Sequence, residues 1–375
     1  MSKNRRAAVT GLGAVTPVGN RTAQVWENLK KGVCGIGPIT LFDAQGSKAK
    51  LAAEVKGFDP KEYLSVNEVL RTDRYAQFAV AAAQQAVEES GVVGSIPSER
   101  FAVLFGTGIG GIGTFEREHT RLLEKGERRV SPLFVPMMIA NMAAGLIALR
   151  HDCRGAAMPA VTACASGSNA IGEAMRLIRH GYADAVITGG AEAAITASAV
   201  AGFANMQALS LSQDPEAASL PFDRRRGGFV IGEGAAALVL EEYEHARARG
   251  AHIYGEVCGY GSTCDAWHIT APHPEGRGAA QAMRAAMAEA GYTQEDRVYI
   301  NAHGTGTPMN DVVETMAVRQ ALGEEQAGRA LVSSTKSMTG HMLGAAGALE
   351  AIACLMALEE RVIPPTIHLL EQDEA

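Results

Sequence analysis

Val161-Thr162-Ala163-Cys164-Ala165-Ser166-Gly167-Ser168-Asn169-Ala170-Ile171-Gly172 is the stretch on which the reading turns. A short apolar segment runs in, a cysteine sits in the middle, and small residues lead into a helical pattern through Met175, Leu177 and Ile178. That order predicts strand, tight turn and helix, with Cys164 at or just before the helix N-terminus. A thiol there meets the positive end of the helix dipole and unpaired backbone N–H groups. Both lower its pKa and favour thiolate, the nucleophilic form. Ala165, Ser166 and Gly167 leave room for a substrate beside it. The competing reading is a buried structural cysteine, because free Cys is among the most buried residue types. The local sequence does not choose between the two.

Upstream, Ala7 to Val18 is a β-rich run broken by Gly11, Gly13 and Pro17, and Gln24 to Lys31 reads as a helix ending at Gly32. Arg71 to Ser90 is an amphipathic helix with Tyr75, Phe78, Ala79, Ala82, Ala86 and Val87 on one face and Gly91 as its stop. Phe101 to Phe105 is an apolar strand followed by Gly106-Thr107-Gly108-Ile109-Gly110-Gly111. Those glycines lack the spacing of a dinucleotide fingerprint at a helix start. Gly113 to Glu127 is polar and reads as exposed, whereas Phe134 to Leu149 reads as one apolar helix buried in a core or an interface. Downstream, Ala185 to Thr188 and Gly228 to Leu240 are expected strands, and Glu241 to Arg249 is a charged helix.

A second series begins at Ile253. Ile253 to Gly259 reads as a strand, Gly278 to Ala290 as a helix, and Val298 to Ile300 as a strand leading into Asn301-Ala302-His303-Gly304-Thr305-Gly306-Thr307. Asp311 to Ala321 is a helix, Leu331 to Ser334 a strand, and Gly344 to Leu358 a small-residue helix. The two series match in order: strand then Gly-Thr-Gly at 101–108 and 298–306, and strand, turn and helix at 161–179 and 332–358. Alternating strands and helices imply an α/β protein. The duplication implies two halves, 1–250 and 251–375, whose sheets share a central layer of Ala/Gly-rich helices. After its turn and helix the first half supplies two more strands, whereas only 361–375 follows Leu358. By its own symmetry the chain is expected to lack its last C-terminal strands.

Composition narrows the function. The chain has 375 residues, 47% hydrophobic and 20% charged, ample for a large core. A net charge of −7 and the absence of a basic block argue against nucleic-acid binding. Six cysteines without CxxC pairs fit reduced thiols and a cytoplasmic setting. No signal-peptide pattern follows the N-terminus, and the weakly polar run 183–206 reads as a buried strand plus helix, not a membrane span.

Three glycine-rich turns carry rare polar residues: those of Cys164, of His303 with Thr305 and Thr307, and of Lys336-Ser337-Met338-Thr339-Gly340-His341. The duplicated layout puts all three on loops at strand ends, where α/β sheets place active sites. A catalytic metal is not expected, since a zinc site of Cys164, His303 and His341 has no HxxxH or CxxC spacing behind it.

The stretches VTGLGAVTPVG, GTGIGG, TACASGSNAIGEA, PFDRRRGGFVIGEGA, NAHGTGTP and STKSMTGHMLGAAG together resemble the β-ketoacyl-acyl carrier protein synthases of the thiolase fold, most closely type II. The resemblance implies a five-layered αβαβα sandwich and a homodimer. It implies condensation of an acyl group with malonyl-acyl carrier protein and release of carbon dioxide, with no cofactor beyond the carrier's phosphopantetheine. Cys164 matches the nucleophile that holds the acyl chain as a thioester. His303 and His341 match the pair that drives decarboxylation, and Lys336 the lysine that orients the second histidine. Glu314 and Glu350 match supporting acidic positions, Thr305 and Thr307 hydroxyls on the phosphopantetheine arm, and Ile109 and Phe203 the acyl pocket. Asn301 and Glu350 match a structural monovalent-cation site, and Arg128 and Arg129 fit a basic rim for the acidic carrier. The same residues set the chain apart from degradative thiolases, from initiating type III synthases and from chain-length-factor partners, which lack the cysteine. The family runs on past the position of Ala375 with a strand and a glycine-rich loop carrying the second oxyanion-hole N–H, the first being that of Cys164. A chain ending at Ala375 is therefore expected to condense poorly. A scaffold partner without turnover and a ketosynthase of a specialised polyketide route are the alternatives.

Overall fold

The computed structural model describes residues 5–374. Its first strand, Ala7–Val15 (β1), is buried along its whole length. Gly11 and Gly13 explain how a helix lies directly on it. A Cβ at Gly11 would stand 2.0 Å from the Ala86 carbonyl oxygen, and one at Gly13 1.9 Å from that of Ala82. Both alanines sit one turn apart on the helix Arg74–Ser90 (α1), so bare backbone meets a stripe of small residues. Asp73 caps α1 through the Tyr75 N–H, and Gly91 ends it in the left-handed conformation.

Phe101–Gly106 (β2), Ala157–Ala160 (β3), Ala185–Glu192 (β4), Gly234–Glu242 (β5) and Gly255–Val257 (β6) join β1 in a six-stranded sheet of order β3-β2-β4-β5-β1-β6. The β2 strand pairs in parallel with β3 and β4, and the remaining ladders are antiparallel. Alternate residues of β2 face opposite ways. Phe101, Val103 and Phe105 pack with Tyr75, Phe78 and Ile147, while Leu104 packs with Ile171, Met175 and Leu349. The first group lies under α1 and the helix Met142–His151. The second lies under Ser166–Arg179 and Ala346–Glu360. These last two form the shared central layer that the small-residue patterns imply.

Tyr299–Asn301 (β7) and Leu331–Ser333 (β8) form a parallel pair beyond that layer, with β7 packed against the helix Ala346–Glu360. Arg277–Ala290 and Pro308–Leu322 complete five layers, α, β, α, β, α. The second sheet has these two strands among the described residues. Leu331 and Val332 are 59% and 45% exposed, and a cleft of about 630 Å³ opens between Val332, Ala302 and Val318.

The duplication goes deeper than the order of elements. A Cβ at Gly259 would stand 2.0 Å from the Ala286 carbonyl oxygen and one at Gly261 1.8 Å from that of Ala282, the same close approach that Gly11 and Gly13 make to α1. Val9-Thr-Gly-Leu-Gly13 and Val257-Cys-Gly-Tyr-Gly261 are thus the same device used twice.

Several expectations need correction. The strand expected over Ile253–Gly259 forms only over Gly255–Val257, and it extends the first sheet through β1. Residues past 250 therefore complete the first sheet. The single helix expected over Phe134–Leu149 is two, Phe134–Met138 and Met142–His151, parted where Ile139 turns extended and its carbonyl accepts the Tyr75 hydroxyl. Leu149 is 80% exposed. The polar stretch after Gly111 is a helix, Ile112–Lys125, with Thr114 and Glu118 buried. The strand expected from Gly228 starts at Gly234, because Phe229, Ile231 and Gly232 instead bridge to Leu209, His341 and Ala53.

Candidate active site

The chain leaves β3, makes a turn of 3-10 helix over Ala163–Ala165, and enters the helix Ser166–Arg179. Cys164 is therefore at the helix N-terminus, as its sequence implies. Ala163 just before it has φ +52°, a left-handed conformation that costs a non-glycine residue about 1–3 kcal/mol. Leu343, at the matching place before the Ala346–Glu360 helix, has φ +46°. The two turns face each other across the central layer. Ser166 locks the first turn: its hydroxyl accepts from the Thr162 N–H at 2.9 Å and donates to the Ala163 carbonyl at 2.6 Å.

The irregular 229–232 segment anchors His341. The His341 N–H donates to the Val230 carbonyl at 2.7 Å, and the Gly232 N–H donates to the His341 carbonyl at 2.8 Å. Its ring makes an edge contact with Phe229 at 5.2 Å between centroids. The Leu343 N–H donates to His341 Nδ1 at 3.3 Å, which places the ring proton on Nε2. Nε2 lies 2.9 Å from Cys164 Sγ. The His303 ring stands at 86° to that of His341 with centroids 5.2 Å apart. One side-chain atom from each of Cys164, His303 and His341 lies within 4.8 Å of the other two.

Electrostatics keep both rings neutral. Burial, reinforced by the Lys336 cation, lowers His303 to about 3 and holds His341 well below the ordinary histidine range. Lys336 is buried and paired with Glu350. Glu314 receives the His303 and Gly304 N–H groups at 2.6 and 2.7 Å, which fixes the His303 loop. Burial pushes its carboxyl up, against those two donors.

One expectation fails. The helix N-terminus does not win at Cys164, because burial pushes the thiol up to about 11, with the Lys336 charge pulling down and Glu192 pushing up. The sign follows directly: the thiol is the dominant form at neutral pH. The stability linked to it is complete below the ordinary value of 9.0 and is lost as pH rises through about 11. Alkylation of Cys164 in the free protein should rise about tenfold per pH unit from roughly pH 7 to 10. A plateau near pH 8 in an iodoacetamide rate profile would contradict this.

Most other sequence-derived residues fall close by. Thr305 and Thr307 follow His303, and their hydroxyls meet at 3.0 Å. Phe203 packs with Cys164, Ile112 and Leu343 in one apolar cluster. Ile109 follows β2, and its N–H is bound by Glu192. The Asn301 side-chain oxygen accepts from Thr335 at 3.5 Å, and its Nδ2, buried, makes no hydrogen bond of good geometry. Arg128 and Arg129 are exposed on the 3-10 turn after the helix Ile112–Lys125.

A neutral histidine pair over a thiol at a helix N-terminus, in a duplicated α/β fold, is the arrangement to compare. The family description "Beta-ketoacyl synthase, N-terminal domain" matches residues 4–246, and "Beta-ketoacyl synthase, C-terminal domain" matches residues 254–370. The chain belongs to the beta-ketoacyl synthase family. Among curated members, the 3-oxoacyl-[acyl-carrier-protein] synthase 2 of Synechocystis sp. is 52% identical over 99% of this chain and 89% of its own length. The protein of that name from Staphylococcus aureus (strain COL) is 48% identical over 100% of this chain and 90% of its own length. Among solved structures, a type II PKS acyl-carrier protein in complex with its ketosynthase bound to the hexaketide contains a chain with a TM-score of 0.92 and 32% identity. The match covers 99% of this chain and 91% of that one.

Within this beta-ketoacyl synthase, sequence reasoning missed Glu192 and the paired left-handed residues. Glu192 sits in an apolar run where nothing local marks it. Its partners are backbone N–H groups far along the chain, which leave no sequence signal.

Proposed function

We propose that the chain carries out decarboxylative Claisen condensation, extending an acyl chain by two carbons at the expense of a malonyl thioester. The observation that carries this is the neutral His341 Nε2–H 2.9 Å from Cys164 Sγ, with His303 beside it. In the first half-reaction the Cys164 sulfur attacks the thioester carbonyl of acyl carrier protein. It forms a new thioester and releases the carrier's phosphopantetheine thiol with the Cys164 proton. In the second, malonyl thioester binds with its carbonyl oxygen toward the two imidazoles. Loss of carbon dioxide leaves an enolate whose negative oxygen accepts their N–H groups; its carbon attacks the Cys164 thioester, the acyl–sulfur bond breaks, and the Cys164 thiolate that leaves takes a proton from water. Neutral rings suit this role, since an N–H donor stabilises the oxyanion without being consumed. The sulfur must be free to attack, which is why no metal is assigned to it.

Lys336 acts as a positioning residue whose charge adds to burial in keeping both rings unprotonated. Glu314 and Glu350 hold the His303 loop and the Lys336 ammonium. Thr305 and Thr307 present hydroxyls to the phosphopantetheine arm, and Ile109 and Phe203 bound the acyl pocket. A structural monovalent cation would take the Asn301 amide oxygen and the Glu350 carboxylate as ligands, hard oxygen donors of the kind such an ion prefers. The substrate travels on acyl carrier protein, no other cofactor is needed, and the setting is the cytoplasm. No helix among the described residues is long and apolar enough to cross a membrane. Two copies pair through β3, an edge strand with Met158 and neighbouring Val161 46% and 51% exposed. Residues 1–250 and 251–375 act as nucleophile and histidine halves.

Incubation with acyl carrier protein loaded with an acyl chain should add one acyl mass to the Cys164 peptide. An unmodified peptide would instead support a partner without turnover. Arg128→Glu with Arg129→Glu should weaken carrier binding on the order of tenfold at low salt, chiefly through slower association, and the loss should shrink as salt rises. Unchanged affinity would remove this face from the docking surface.

A further inference from the structure

Glu192 closes β4 with 0% of its surface exposed. Its Oε1 accepts from the Thr107 hydroxyl at 3.1 Å and the Ile109 N–H at 3.2 Å. Its Oε2 accepts from the Gly108 N–H at 2.7 Å and the Gly344 N–H at 3.1 Å. The Thr107 oxygen itself accepts from the Gly110 N–H at 3.1 Å, which leaves its proton free for Glu192. Among the described residues no cation pairs with this carboxylate. A buried charge without a counter-ion is costly unless its lone pairs are filled. Here four donors fill them, three of them backbone N–H groups that can only donate.

What those donors belong to gives the group its meaning. Thr107 to Gly110 form the loop after β2 that bears Ile109. Gly344 follows Leu343, whose N–H fixes the tautomer of His341. The loops touch directly: a Cβ at Gly344 would meet the Gly108 nitrogen at 2.4 Å, and one at Gly108 would stand 3.6 Å from the Ala163 carbonyl oxygen, next to Cys164.

We propose that Glu192 is a positioning residue that holds the acyl-pocket loop and the His341 turn in one register against Cys164. Chain-length discrimination and enolate stabilisation are thereby set by the same buried carboxylate. This inference rests on the condensing-enzyme reading. It has a graded consequence, because Oε1 serves only the 107–110 loop whereas Oε2 ties that loop, through Gly108, to the His341 turn, through Gly344. Glu192→Gln keeps one acceptor oxygen. Its cheaper orientation leaves that oxygen on Gly108 and Gly344 and turns the amide NH₂ toward Thr107, whose hydroxyl can accept, and toward the Ile109 N–H, which cannot. Glu192→Ala releases both loops.

The test measures three rates on wild type, Glu192→Gln, Glu192→Ala and a core control, Val239→Ala in β5. These are condensation with short and long acyl primers, and malonyl decarboxylation without a primer. Glu192→Gln should shift the long-to-short ratio of kcat/KM by about fivefold or more, with decarboxylation held within about twofold. Glu192→Ala should also lower decarboxylation by about tenfold or more. Val239→Ala should lower thermal stability without changing the primer ratio. The proposal is overturned if Glu192→Gln keeps the wild-type primer ratio, or if every rate falls in parallel as stability falls. A wild type that does not condense in the same assay would instead overturn the family reading.

Discussion

Cys164→Ala is expected to yield a folded protein that takes up no acyl group and forms no condensation product, yet still releases carbon dioxide from malonyl carrier protein. The substitution removes one sulfur atom from a half-buried turn that Ser166 holds through two hydrogen bonds, so the fold loses little. The chemistry loses its only site for the acyl thioester. Condensation should fall on the order of 10³-fold or more, since a nucleophile acts as a unit with its neighbours. Decarboxylation should persist because the His303 and His341 N–H donors are anchored elsewhere, by Glu314 and by the 230–232 segment. Steady-state condensation and carbon dioxide release, measured on one preparation, separate the two. Loss of both would mean that the sulfur also stabilises the enolate.

Lys336→Met should produce the largest loss of stability. The Lys336 ammonium is buried and paired with Glu350, whose side chain is 16% exposed. Removing one partner of a buried pair leaves the other uncompensated and costs about 3–5 kcal/mol. At about 2–4 °C per kcal/mol the melting temperature should fall by roughly ten degrees. Activity should fall too, since the Lys336 charge helps to keep both histidines neutral and draws the Cys164 thiol downward. The double variant Lys336→Met with Glu350→Gln tells the two effects apart. Removing both charges should restore most of the stability and little of the activity. Recovery of both would reduce Lys336 to a structural role.

The parts of this site legible in the sequence share a physical character. Cys164, His303, Lys336 and His341 are polar residues in turns of small residues, and such turns need their glycines and alanines for close backbone approach. The central helices are legible because an all-apolar, Ala-rich helix has to be buried on every side. The unread parts depend on long-range partners. That residues 255–257 would extend the first sheet is decided by pairing with β1, far away in the chain. The one glycine of Phe134–Leu149, Gly145, lies inside the second helix and not where the stretch divides, and the contact between Tyr75 and the Ile139 carbonyl explains the division. The ionisation of the Cys164 thiol follows the same pattern. A helix N-terminus is visible locally, whereas burial, the larger effect, comes from the facing half of the duplication.

The central claim is that Cys164, His303 and His341 join two thioesters with loss of carbon dioxide. The most direct measurement uses acyl carrier protein with an unlabelled primer and malonyl carrier protein with a labelled free carboxyl carbon. The expected result is one labelled carbon dioxide for each 3-ketoacyl product, a product two carbons longer than the primer and free of label. Hydrolysis of the primer without a new carbon–carbon bond, or label retained in the product, would contradict it.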